Sequence, residues 1–324
     1  MDIRLALPCK DCQETLFAII SIISSDGKAT LKGVNCRFLF TSALLVGLAS
    51  PSFAWFPQGH SIIARSAANV VPSDLPSWFR KGAGQIAHDA QDPDVQKNKA
   101  LPEMTEVEYP RHYIDFEMLQ NNALPEKISD YYALCERLSI EPGDVGELPY
   151  ALREWSERLA MDFAEARKYP KNKYIRTKAL VTAGILAHYS GDCEMPLHVT
   201  QDHDGRHLPD GKSPKSGIHA KVDSLVERIN PSRAELEANQ SLTPVSDIWG
   251  AINAEIASSR THIDQTYALE PQLPPKTGAW TASPEVRAFT VERARAGVNW
   301  TARLYAWAWA KSSQIELPDW LKRE

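Results

Sequence analysis

Apolar residues recur at helical spacing along most of the chain beyond residue 55. Ile62, Ile63, Ala67, Val70 and Val71 fall on one face, and Pro72 stops the run. A polar stretch containing Gly82, Gly84 and Pro93 follows. Residues 128–168, rich in Leu, Ala, Glu and Arg, are interrupted at Pro142-Gly143 and Pro149 and read as two helices. Residues 174–195 form the most apolar helix and the natural centre of a bundle. Gly, Pro and Asp crowd residues 199–218, which read as a loop. Helix resumes over 219–229, 246–268 and 284–312, the last carrying Trp300, Tyr305, Trp307 and Trp309. No run of strand-like alternation and no internal repeat appears. The pattern predicts an all-α fold, one mainly helical domain over residues 55–324.

Ahead of that domain the pattern changes. Lys32 and Arg37 precede an apolar run from Phe38 to Leu48, and Ser52-Phe53-Ala54 gives a small-x-small exit. This is the arrangement of a signal peptide, with the cut between Ala54 and Trp55. The run is short for a membrane span, so the reading is a removed leader over 1–54 and an exported, secreted or periplasmic protein. An uncleaved anchor or a buried helix is the plainer alternative. The leader carries five basic and four acidic residues, so its loss moves the net charge from -5 to -6. An acidic domain is not built to hold duplex nucleic acid by charge alone, although bound metal would add positive charge. Cys9, Cys12 and Cys36 leave with the leader, and Cys135 and Cys193 remain. An even pair in an exported chain suggests a disulfide, and two buried thiols is the other reading.

Candidate chemistry lies in the histidines and aspartates. His188 and Asp192 stand four apart on the most apolar helix, so both project from one face. His198 follows just past Met195-Pro196, and His219 and Asp223 repeat the spacing on the next helix. A lone His-x3-Asp is most often a surface pair. Two within 36 residues, with His198 between, suit more than one metal ion. Asp192 on an apolar helix is costly to bury without a partner, and metal ligation removes that cost. Upstream, Trp55-x4-His60, Asp92-Pro-Asp94 and His112-Tyr-Ile-Asp115 are weak when taken singly. His88, His203, His207 and His262 read as ordinary loop or surface residues.

The segments WFPQGH (55–60), DPDVQK (92–97), RHYID (111–115), AHYSGDCEMPLH (187–198) and GIHAKVD (217–223) together resemble a known superfamily. It comprises bacterial zinc-dependent phospholipases C and the fungal and plant single-strand-specific zinc nucleases. The resemblance implies three zinc ions. The first would take Asp94, His112, His188 and Asp192, with Asp89 and Asp92 as neighbours of the first ligand. The second would take His198, His219 and Asp223. The third would take His60, a shared oxygen of Asp192, and the amine and carbonyl of Trp55 once the leader is cut.

The implied chemistry is metal-assisted phosphodiester hydrolysis. Asp192 bridges two metals, Asp94 is a catalytic ligand, and Asp115 is a candidate to orient the water or a ligand. The Trp-x4-His entry, HYID and the terminal Asp223 lean to the nucleases. Asp204-Gly205-Arg206 stands where the nucleases carry Gly-Gly-Asn, and GIHAKVD leans to the phospholipases. The expected substrate is single-stranded nucleic acid or nucleotide, with bases stacked on Tyr109, Tyr113 or Phe116 and phosphates met by Arg206, Lys212 and Lys215. Phospholipid is the alternative, with no stable membrane insertion in either case and no protein partner implied. A zinc-binding protein without turnover is a further alternative. A di-iron carboxylate bundle wants Glu-x-x-His pairs, which are not found here. The first expected outcome concerns processing. Intact mass or N-terminal sequencing of exported protein should give a start at Trp55, and a start elsewhere would remove the third metal site.

Overall fold

The computed structural model of the chain describes residues 56–323. The leader, the Ala54–Trp55 junction and Trp55 itself lie outside the described residues. The described part is all-α, and no strand occurs in it. The first third runs through α1 (Pro57–Val70), α2 (Ser77–Lys81), α3 (Ala83–Asp89), α4 (Asp92–Gln96) and α5 (Pro102–Glu108). The middle comprises α6 (Ile128–Leu138), α7 (Pro142–Val145), α8 (Leu148–Lys168) and α9 (Lys173–Cys193). The last part comprises α10 (Ile218–Asp223), α11 (Leu225–Ile229), α12 (Arg233–Glu237), α13 (Ile248–Arg260), α14 (Ile263–Ala268) and α15 (Pro284–Ser312).

The long helices stand where periodicity puts them. The first "polar stretch" instead holds α2, α3 and α4, and α5 follows. Helices of five to seven residues are too short for periodicity to register, and in water they would not persist alone. Tertiary burial holds them: Ile86, Ala87 and Asp89 of α3 are buried.

Helix α9 is the axis of the bundle, packed by α8, α3, α15 and α1. Asn172 starts it, its side-chain oxygen accepting from the Tyr174 and Ile175 amides. Pro196 ends it by forcing Met195 into extended backbone. Polar groups pin the neighbours at fixed heights. Thr182 donates to Asp162 of α8 at 2.6 Å, and Tyr305 of α15 donates to the Ala183 carbonyl at 2.8 Å. Ser190 and Thr301 share a hydrogen bond of 2.6 Å. Around these contacts Phe79, Phe163, Trp300 and Tyr305 fill the core. Cys135 and Cys193 are both buried free thiols, so the disulfide does not form.

Gly184 lets α3 approach α9. A Cβ there would stand 2.6 Å from Asp89 Cβ and 2.8 Å from the Ile86 carbonyl oxygen, and backbone cannot yield as a flexible side chain does. Gly184→Ala is therefore expected to cost about 1–3 kcal/mol by overpacking. Urea denaturation of the metal-loaded protein checks this, and unchanged stability would mean that the helices part freely.

Candidate metal centre

Helix geometry sets the first pair. His188 and Asp192, one turn apart on α9, are fully buried, with His188 Nε2 3.4 Å from Asp192 Oδ2. The short 3-10 turn Tyr109–His112 brings the ring of His112 to the same carboxylate, its Nδ1 3.0 Å from Asp192 Oδ2 and 3.0 Å from His188 Nε2. Asp94 of α4 completes the set, with Oδ1 3.8 Å from His188 Nε2. Asp89 is occupied by the amide of Gln85, and Asp92 is not drawn in, so Asp94 is the aspartate that the fold presents.

The other oxygen of Asp192 faces the opposite way. His60 of α1 reaches Oδ1 with Nε2 at 3.4 Å, and its ring stacks on His188 at 3.8 Å between centroids. One carboxylate thus faces His112 and His188 with Oδ2 and His60 with Oδ1. A third set forms alongside, where His198 Nε2 meets His219 Nε2 at 3.0 Å and Asp223 Oδ2 lies 3.6 Å from the same His219 nitrogen. The three groups are His60–His188–Asp192, Asp94–His112–His188 and His198–His219–Asp223. Trp55 lies outside the described residues. Its neighbour Phe56 donates its amide to the Asp223 carbonyl at 3.0 Å, so the described chain begins against this centre.

The histidines are held from behind. His188 Nδ1 meets the Ala90 carbonyl at 2.8 Å, and His198 Nδ1 meets the His112 carbonyl at 2.6 Å. A carbonyl only accepts, so each Nδ1 carries the hydrogen and each Nε2 turns a bare lone pair to the centre. His112 is reversed: Nδ1 faces inward, and Nε2 stands 3.3 Å from the buried Glu108 carboxylate, which accepts from the Tyr189 hydroxyl at 2.5 Å. Metal-bound imidazoles are oriented in this way. Glu108 escaped the sequence reading although it lies one turn before His112. Lys97, the last residue of the DPDVQK segment, places its ammonium 2.6 Å from Asp94 Oδ1.

The donor set fits metal ions. Both ring nitrogens of His60, Asp192 Oδ1 and both Asp223 oxygens are buried without a hydrogen bond, a costly state that ligation relieves. Two nitrogens on one tetrahedral zinc, each about 2.0–2.1 Å from it, lie about 3.3 Å apart, close to the separations seen here. Imidazole and carboxylate without thiolate suit zinc among the common ions.

Other expected residues fall elsewhere. Asp115 is buried but joins none of the three groups. Burial, aided by the nearby Glu117 and opposed by Arg260, lifts its carboxyl to about 8. Phe116 packs against the core, and the Arg260 guanidinium sits 5.3 Å from its ring. Tyr113 donates to the Gly143 carbonyl at 2.5 Å, and its ring meets Tyr109 edge-on at 5.8 Å. Arg206 pairs with Asp264 and lies over the Tyr267 ring. The ring of His203 stands 5.7 Å from that of His219.

No protein-family model matches the chain, and no curated protein does. Among solved structures it is similar to the alpha-toxin of Clostridium perfringens from avian strain SWCP, with 13% identity and a TM-score of 0.46 over 82% of this chain. It is also similar to the alpha toxin of Clostridium absonum, with 14% identity and a TM-score of 0.43 over 79%. The match covers 65% and 63% of those two chains, so this chain spans less than two thirds of either.

Protonation gives a test of the centre. Burial, with the charge of Asp94 next, holds the Asp192 and Asp223 carboxyls well above the usual carboxylate range. Burial pushes His198 down to about 3 and lowers His60, His112, His188 and His219. The rings are therefore already neutral near pH 6, while the carboxyls retain protons that a metal must expel. Metal affinity should rise with pH until those carboxyls ionise unaided. Calorimetry near pH 6 in two buffers of different ionisation enthalpy should count at least about one proton released per chain. A count of zero would overturn the assignment.

Proposed function

We propose that this chain is an exported zinc-dependent hydrolase of phosphodiester bonds, holding three zinc ions through His60, Asp94, His112, His188, Asp192, His198, His219 and Asp223. The observation that carries the reading is Asp192, whose two oxygens face different histidines from inside an apolar helix, Oδ2 towards His112 and His188 and Oδ1 towards His60. Trp55, freed by cleavage after Ala54, completes the His60 set with its amine and carbonyl in this reading.

Bound zinc supplies a Lewis acid for phosphate oxygens and lowers the pKa of water toward neutrality. The chain's own residues do the rest. Asp192 keeps two sets in register. Glu108 and the Ala90 and His112 carbonyls aim the rings. Lys97 neutralises Asp94 where the substrate's charge arrives. Asp115, buried three residues beyond His112, is proposed to orient the attacking water.

Phospholipid comes ahead of single-stranded nucleic acid as the substrate class. Of the rings expected to stack bases, Phe116 lies under the Arg260 guanidinium, Tyr113 is held by its hydroxyl and Tyr109 is exposed, while Arg206 of the loop is paired with Asp264. That favours a substrate whose recognition does not depend on aromatic stacking.

The test uses mature, zinc-loaded protein offered phosphatidylcholine, single-stranded DNA, RNA and a nucleoside 3′-phosphate side by side. Turnover of phosphatidylcholine is expected. Nucleic-acid cleavage without lipid turnover would restore the nuclease reading, and no turnover of any substrate would leave a zinc-binding protein. Elemental analysis should give about three zinc ions per chain from the donor count. Asp192→Asn should lose metal and lower activity beyond the roughly 10–100-fold typical of residues that only support a ligand. Parental activity in that variant would contradict the bridge.

A further inference from the structure

The net charge of the chain is -5, yet its basic residues are not spread evenly. Residues 167–178 carry Arg167, Lys168, Lys171, Lys173, Arg176 and Lys178 and no Asp or Glu. This segment joins α8 to α9 and includes the adjoining helix ends. It lies at the opposite end of the axial helix from the metal centre. Lys173 and His188 are 15 residues apart on α9, about 22 Å at the helical rise.

Contacts gather the segment around one opening. A cleft of about 600 Å³ is lined by Tyr169, Lys171, Lys173, Tyr174 and Arg323 among others. The Tyr169 hydroxyl donates to the Leu321 carbonyl, and Arg323 reaches Glu165 of α8 at 3.1 Å, which pins the C-terminal segment beside the turn. The Lys168 ammonium stands 5.7 Å from the Tyr169 ring, and the Lys173 ammonium 5.1 Å from the Tyr174 ring. Tyr174, exposed by 73%, and Trp320, next to the pinned Leu321 and exposed by 77%, are the most exposed large apolar side chains among the described residues.

Some of the cations are committed elsewhere. Arg167 lies over the Trp309 ring at 3.4 Å and donates to the Ser312 hydroxyl. Arg176 donates to the Pro170 carbonyl, and Lys178 pairs with Asp162 and Glu165. Lys168, Lys171 and Lys173 are exposed and pair with no carboxylate among the described residues. The helix end itself is closed, because the Asn172 side chain takes the Tyr174 and Ile175 amides. Ammonium groups and rings therefore carry the site.

Open lysines crowded into one segment of an acidic chain create a local positive potential that attracts anions. Four of the eight residues from 171 to 178 are Lys or Arg, the density found where proteins meet nucleic acid or heparin-like polymers. A single strand of nucleic acid is gripped by successive rings that take base after base. Here each ring stands beside an ammonium instead, Tyr169 with Lys168 and Tyr174 with Lys173. That alternation suits a chain of charged sugars, whose apolar ring face can lie on an aromatic side chain while its sulfate or carboxylate meets the neighbouring ammonium. A bilayer calls for an aliphatic face to bury, and no Leu, Ile, Val or Met lines the cleft.

We infer that the cleft at the α8–α9 turn, with Lys168, Lys171, Lys173 and Tyr174, is a binding site for an acidic polysaccharide. The site is remote from the metal centre and independent of the substrate hydrolysed there.

The experiment titrates mature, zinc-loaded protein with dextran sulfate and with uncharged dextran of the same length. Dextran sulfate should bind, with an affinity that falls as salt rises, and dextran should not. Lys171→Gln combined with Lys173→Gln should weaken binding by roughly tenfold, the upper range for two exposed charges. Tyr174→Ala should weaken it by about threefold and leave its salt dependence unchanged. Lys127→Gln combined with Lys276→Gln removes the same charge elsewhere and should stay within about twofold. All these positions are exposed, so circular dichroism and zinc content should match the parent. Absence of dextran sulfate binding would overturn the site, as would equal binding of dextran. An equal loss in the Lys127 and Lys276 pair would reduce the effect to net charge and overturn it too. A thymidine oligonucleotide or phosphatidylglycerol vesicles bound more tightly than dextran sulfate through Lys171 and Lys173 would overturn the polysaccharide as the occupant.

Discussion

A carboxylate buried in an apolar helix is costly unless positive charge or hydrogen bonds meet it, and Asp192 is fully buried at the inner end of α9. Much of the molecule is arranged around that group. His112 and His188 face one of its oxygens and His60 the other. The segments carrying these residues must therefore converge on one point. That requirement explains the close approach at Gly184 and the polar pins from Thr182, Tyr305 and Ser190. Packing of apolar side chains alone would tolerate some sliding of helices, whereas convergence on one carboxylate does not.

The parts of this arrangement that were legible in the sequence are those where local spacing and chemistry agree. His188 with Asp192 and His219 with Asp223 are one turn apart, and helical periodicity continues through both pairs. The long helices α8, α9 and α15 were legible for the same reason. Other features depend on tertiary contact and leave little local trace. Helices α2 to α5 are too short to show a period. Glu108 lies one turn before His112, but nothing in the residues themselves says that it turns inward while Val107 turns out. Among Asp89, Asp92 and Asp94, neighbours in the fold decide: Gln85 takes the first, and only Asp94 comes to His188. The thiols of Cys135 and Cys193 show the opposite failure, since parity suggested a bond that the fold does not make. The stacking of bases expected on Tyr109, Tyr113 or Phe116 rested on proximity to His112; in the fold the Tyr113 hydroxyl is bonded to Gly143 and the Arg260 guanidinium lies over Phe116, while Tyr109 is exposed.

Burial also shapes the electrostatics. The same desolvation that lowers the imidazoles raises the carboxyls, so without metal the cluster holds nearly neutral rings beside protonated acids. A cation reverses the balance by making the ionised carboxylate the favoured form. The centre is thus preorganised in position but not in charge, and a bound metal ion would supply what the polypeptide lacks.

The carbonyl of His112 receives the Nδ1 hydrogen of His198, and the His198 carbonyl receives the amide of Ile114 two residues beyond His112. Residues of two candidate metal groups are therefore stitched to each other through their own main chains. On the zinc reading, an ion of the wrong radius in one set would shift His112 and carry the misfit through one hydrogen bond into the next set. Discrimination among metals would then be collective. The cluster would accept or reject its ions as an ensemble, and stepwise exchange of one metal for another would be resisted at the intermediate stages.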